Sequence, residues 1–158
     1  QPSVPASSRA GFDGDSVFLD ETKLFQPLLG FGGALTEAVA VTLGKLPEAE
    51  REKILANYFS PESGHGYALC RVSINSCDFA LGNYACADTP GDVALAGFNI
   101  RRDEAAILPL LRRAFALSGG RLKILASPWS PPAWMKTNGA MNGGGRLRPE
   151  HRAAWAQH

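Results

Sequence analysis

The 158 residues are 45% apolar and 20% charged, with a formal charge of +1, the profile of one globular domain able to build its own core. That charge gives no electrostatic case for nucleic acid or an anionic membrane, and no apolar run approaches the roughly 18 residues that span a bilayer. Three cysteines and three histidines show no zinc-ligand spacing, so neither a metal nor a cofactor is expected.

The chain starts at Gln1 rather than Met, which suggests a processed product or one cut from a longer chain. Residues 1–10, rich in Ser and Pro, read as a flexible lead-in. Residues 15–19 and 23–29 look like two short strands joined by a turn, the second an edge strand because of Pro27. Gly30-Phe-Gly-Gly33 then implies positive φ or a close approach by another group. Thr36 can cap a helix running through Val41, and Pro47 suits the first turn of a second. Residues 48–59 place Ile54, Leu55, Tyr58 and Phe59 on one side and Glu50, Arg51 and Lys53 on the other.

Residues 67–74 form a short apolar strand of the kind buried on both faces of a parallel sheet. The connection over residues 75–99 is long for a compact domain, which usually signals function. Ile107, Leu108, Leu111, Ala114 and Phe115 fall at helical spacing, with Pro109 in the first turn and Gly119-Gly120 as the stop. Residues 122–126 are a third buried strand, and residues 149–157 open another helix. Strands and helices alternating in this way argue for a parallel α/β fold.

Two tryptophans and three prolines directly follow the third strand. A strand feeding a proline-stiffened loop with aromatic rings is how a barrel presents flat apolar surface to a ligand, and such rings suit the C–H face of a sugar. Trp129 and Trp134 are therefore either pocket walls or core residues. Asp78 lies just past the second strand, where a carboxylate can accept two hydroxyl donors at once, with a turn or cap as the plain alternative. Arg71 falls inside an apolar strand, so a carboxylate partner is expected. Glu37 reads as a salt-bridge or helix-start charge, with a pocket-facing carboxylate as the alternative. Asn138 and Asn142 read as turn formers, with sugar contact as the alternative, and Asp88 caps or turns its loop. His65, His151 and His158 read as surface or loop residues. The cysteines read as inert thiols, with a Cys77–Cys86 or Cys70–Cys77 disulfide left open.

Four segments together resemble the N-terminal part of glycoside hydrolase family 30, and within it the glucosylceramidases (acid β-glucosidases). They are Gly30-Phe-Gly-Gly-Ala-Leu-Thr-Glu37, Arg71-Val-Ser-Ile-Asn-Ser-Cys-Asp-Phe79, Ala87-Asp-Thr-Pro90, and Ser127-Pro-Trp129 with the Asn-Gly segment after it. The resemblance implies a (β/α)8 TIM barrel, here about three βα units over residues 29–158, with residues 1–28 contributing strands to a β-rich side domain. It implies retaining hydrolysis of a β-glucosidic bond in glucosylceramide or a related β-glucoside. It makes Asp78 a sugar-hydroxyl ligand, Trp129 a wall of the sugar pocket, and Arg71 a support beside the catalytic carboxylates.

In that family the acid/base follows the fourth strand within an Asn-Glu motif, and the nucleophile follows the seventh. No Asn-Glu pair occurs in this sequence, so neither catalytic residue is expected in it. A barrel needs about 250 residues, so the chain reads as the front portion of an enzyme, inactive alone. Its expected partner is the rest of the barrel. The alternative is a non-catalytic carbohydrate-binding or complementing module, and a third reading is a fragment without independent function. The Ala-Asp-Thr-Pro and Asn-Gly-Ala-Met-Asn-Gly segments resemble glucosylceramidases more than the xylanases or β-1,6-glucanases of the family. A secreted or periplasmic location is the expectation that goes with such a family.

Overall fold

The computed structural model describes Val17 and residues 20–158. Three parallel strands form one sheet in the order β1 (Gly32–Ala34), β2 (Leu69–Ile74), β3 (Lys123–Pro128). Helices α1 (Glu37–Gly44) and α2 (Glu48–Phe59) link β1 to β2. Helices α3 (Arg101–Ala105) and α4 (Ile107–Leu117) link β2 to β3, and α5 (Arg152–Gln157) follows. This is the parallel α/β arrangement expected from the alternating pattern, and it fits the partial TIM barrel that the resemblance implies.

Local chemistry explains the helix boundaries. The Thr36 hydroxyl accepts from the Val39 N–H, which satisfies one of the free donors of the first turn of α1. Pro47 immediately precedes α2, and Ser60-Pro61 ends it. Helix α4 buries Ile107, Leu110, Leu111 and Ala114, one stripe at i, i+3, i+4 and i+7. It stops where Gly119 and Gly120 take positive φ. Leu110, Leu111 and Ala114 of the stripe pack with Leu55 and Phe59 of α2, with Cys70 of β2, and with Leu35 and Leu122 beside β1 and β3, forming the core.

Because side chains alternate along a strand, Cys70 and Val72 face this core while Leu69, Arg71 and Ser73 face the other way. The register carries the division across to β3: Leu125 lies opposite Arg71, and Ser127 opposite Ser73. The expectation of strands buried on both faces fails here, since Arg71, Lys123 and Leu125 are exposed on the face that bears no helix.

The first strand also lies elsewhere than expected. The glycine run itself is β1, because a Cβ at Gly32 would run into the backbone of Leu69, so only glycine allows the two strands to pair there. Residues 23–29 form no strand: Leu24, Phe25, Leu28 and Leu29 are exposed and no described strand pairs with them. The strand expected over residues 15–19 lies almost wholly outside the described residues.

All three cysteines are free, so neither disulfide forms. Burial pushes the Cys70 and Cys86 thiols up from the ordinary range, which keeps them protonated and inert. His151 and His158 are half-buried rather than fully at the surface. Their rings pack on Trp134 and Trp155, with centroids 4.8 Å apart in both pairs.

Candidate functional site

Three parallel strands end on the same side of the molecule, and each is followed there by a residue singled out above. Glu37 follows β1, Asp78 follows β2 and Trp129 follows β3. Loops at the C-terminal ends of parallel strands are where barrel proteins assemble sites.

Asp78 and Trp129 line one cavity of about 450 Å³, together with Ser76, Cys77, Asn83 and Asn142. Both are exposed, Trp129 at 44%. Arg71 reaches the same region from inside β2. Its Nη2 donates to Ser127 Oγ at 3.2 Å, and its guanidinium carbon lies 4.7 Å from the Trp129 ring centroid. A cation over an exposed indole contributes about 0.5–1 kcal/mol and fixes the tilt of the ring. The structure therefore brings Arg71, Asp78 and Trp129 together. Among the described residues Arg71 has no carboxylate partner of the kind expected of a buried charge: it is exposed and rests on an indole and a hydroxyl.

Side chains behind the cavity hold the two loops. Asn75 is fully buried at positive φ, with Nδ2 donating to the Ser130 carbonyl and Oδ1 accepting from the Cys86 N–H, both at 2.9 Å. Ser76 and Tyr84 exchange two bonds: the Ser76 N–H donates to the Tyr84 carbonyl, and the Tyr84 N–H to Ser76 Oγ. These close the loop of residues 76–84 that carries Asp78. In the second loop the buried Lys136 ammonium donates to the Met141 carbonyl at 2.8 Å and to Ser130 Oγ at 3.3 Å. A buried ammonium without hydrogen bonds would be very costly, so these acceptors explain how it is tolerated.

Glu37 forms the ion pair the sequence favoured. Its carboxylate takes both Nε (2.6 Å) and Nη2 (3.1 Å) of Arg102 and the Leu81 N–H (2.7 Å). The Arg102 hydrogen bonds outweigh burial and hold the Glu37 carboxyl below the usual range. Tyr84 donates to Asp103 at 2.6 Å, and burial with that carboxylate pushes its hydroxyl well up. Trp134 is a packing residue, with Nε1 donating to the Ala87 carbonyl at 2.8 Å. Asn138 makes the turn expected of it, bonding the Asn142 and Gly144 carbonyls, whereas Asn142 lines the cavity. Asp88 accepts from the Ala85 N–H as a local cap.

Sequence reasoning missed Asn75, Lys136 and Arg102. Asn75 sits in a quoted motif, but its partners Ser130 and Cys86 lie on other segments. Lys136 lies between two quoted segments and bonds within its own loop, to Ser130 and Met141. Arg102 meets Glu37 across 65 positions.

Residues 28–158 match the glycosyl hydrolase family 30 TIM-barrel domain. The chain belongs to that family. Over 131 residues, 82% of this chain, it is 39% identical to the lysosomal acid glucosylceramidase of Mus musculus, of which it covers 25%. Over 121 residues, 75% of this chain, it is 37% identical to an endo-1,6-beta-D-glucanase of Neurospora crassa, again covering 25%. A crystal structure of SrfJ from Salmonella typhimurium superposes with a TM-score of 0.78 at 46% identity, covering 84% of this chain and 29% of that one. The chain thus spans about a quarter of the length of the curated family relatives it matches.

Proposed function

We propose that this chain supplies one wall of the sugar pocket of a retaining β-glucosidase acting on glucosylceramide or a related β-glucoside. The observation that carries the reading is the shared cavity of Asp78 and Trp129 at the ends of neighbouring strands. A pyranose offers two kinds of surface, hydroxyls at its rim and C–H groups on its faces. Asp78 suits the first, as an acceptor of two hydroxyl donors through charge-assisted bonds. Trp129 suits the second, with Arg71 holding the ring.

The chemistry of the reaction needs more than this wall. A retaining mechanism uses two carboxyl groups about 5–5.5 Å apart, one as acid/base and one as nucleophile. In this reading both are glutamates outside the chain, so the chain binds sugar without cutting it. The relation to both a glucosylceramidase and a β-1,6-glucanase supports hydrolysis of a β-glycosidic bond; the ceramide aglycone is the finer part of the proposal.

Calorimetric titration of the 158-residue chain with methyl β-D-glucoside tests the reading. Binding should weaken roughly 10- to 100-fold in Asp78→Ala, the size expected for a lost hydrogen bond to a charged group. It should weaken similarly in Trp129→Ala. Full-strength binding by both variants would sink the proposal. Turnover of an aryl β-glucoside by the chain alone would show that a catalytic pair lies within it.

A further inference from the structure

We infer that Glu37 and Arg102 form a clasp that sets the position of the Asp78 loop, so that both are positioning residues for carbohydrate binding. This rests on the sugar-pocket reading above. Neither residue lines the cavity, so neither touches the ligand directly.

The Ser76–Tyr84 bonds close the base of the loop but leave its tip free to swing. Two further bonds fix the tip to the start of α1. The Ala38 N–H donates to the Phe79 carbonyl at 3.0 Å, and the Leu81 N–H donates to Glu37 Oε2 at 2.7 Å. Asp78 immediately precedes this tethered stretch. The direction of the Asp78 backbone therefore depends on where the Glu37 carboxylate points.

Arg102 decides that direction. Its fork engages both carboxylate oxygens, and a two-point contact fixes orientation as well as distance. The guanidinium is itself held, lying 4.4 Å from the centroid of the Tyr84 ring, whose hydroxyl is bonded to Asp103 on the same helix, α3. Tyr84 also closes the base of the loop, so the contacts form a ring: α1 to Glu37, Arg102, Tyr84, Ser76 and back through the tip. An ion pair serving stability alone could sit on the surface, as Arg113–Glu52 does between α4 and α2. Here the Glu37 side chain is only 7% exposed, and beyond the Arg102 fork it accepts from the loop.

The test compares Glu37→Gln, Arg102→Leu and Arg102→Lys in the 158-residue chain. Each is titrated with methyl β-D-glucoside, and amide hydrogen exchange is followed by NMR. Glu37→Gln and Arg102→Leu should bind about tenfold more weakly, with faster exchange at Leu81 and unchanged protection in β2 and α4. Arg102→Lys, which keeps the charge and loses the fork, should fall between them and the parent chain. Parent-like affinity in Glu37→Gln or Arg102→Lys, with Leu81 exchanging faster, would overturn the inference. Failure of the parent chain to bind sugar would instead remove the pocket reading, and the role of the clasp in binding with it.

Discussion

The two faces of the sheet obey different rules although they share the same strands. On one face Cys70 is 3% exposed and packs with Leu55, Phe59, Leu110 and Ala114. One residue along, Arg71 is exposed, and its neighbour across the register, Leu125, is 63% exposed. The covered face holds the chain together by apolar burial. The open face carries hydroxyl and guanidinium groups and leads up to the cavity. Folding energy and candidate function are thus separated by the two-residue period of a strand.

That separation can be broken by substitution, and the effects should differ in size. The largest belongs to the covered face. Leu55→Ala should lose about 2–5 kcal/mol in urea denaturation, because it leaves a cavity between α2, α4 and the sheet. A loss under about 1 kcal/mol would show that the three-stranded unit is loosely packed there.

Next comes the seam where the faces meet the loops. Asn75→Ala strips the Cys86 N–H and the Ser130 carbonyl of their partners, and alanine tolerates the left-handed backbone less well. The expected cost is about 1–3 kcal/mol by the same measurement, with faster exchange of the Cys86 amide.

A smaller, pH-dependent effect belongs to Glu37. Its folded carboxyl is held low chiefly by the Arg102 hydrogen bonds, so its contribution to stability is full above the ordinary carboxylate range near 4.3 and is lost as pH falls through the lowered folded value. Thermal melts of Glu37→Gln between pH 6 and about 3 should fall less steeply than those of the parent. Parallel curves would mean that Glu37 does not contribute to the acid limb.

The smallest effect sharpens the contrast. Leu125→Ser on the open face should change stability by less than about 0.5 kcal/mol, since the side chain is mostly in water already. A cost comparable to that of Leu55→Ala would mean that the open face is covered in solution.

Much of the layout was legible without coordinates. The Thr36 cap and the paired glycine stop follow from local rules and form as those rules require. The apolar stripe of α4 keeps Ile107, Leu111 and Ala114 but buries Leu110 and leaves Phe115 exposed. The first strand was misplaced because glycine reads as a connector in isolation. Only the backbone of Leu69 beside Gly32 makes it a pairing residue. Arg71 reads as needing a carboxylate because its strand reads as buried on both sides, whereas in this chain, about a quarter of its relatives' length, that side of the strand is exposed. Spacing leaves Asn142 either a turn former or a sugar contact; its place in the cavity lining, beside the Met141 carbonyl that Lys136 holds, is visible only in the folded loop.

The sequence by itself determined the alternation of strands and helices, the Thr36 and Gly119-Gly120 helix ends, most of the apolar side of α2 and α4, and the family likeness of its motifs. These depend on neighbours within a turn or two, where spacing and side-chain type suffice. Only the tertiary structure decided which strand face stays open, that Asp78 and Trp129 share a cavity, and that Glu37 is joined to Arg102. Those outcomes depend on strand register and on loops closed across dozens of residues, and no local preference specifies a partner that far away.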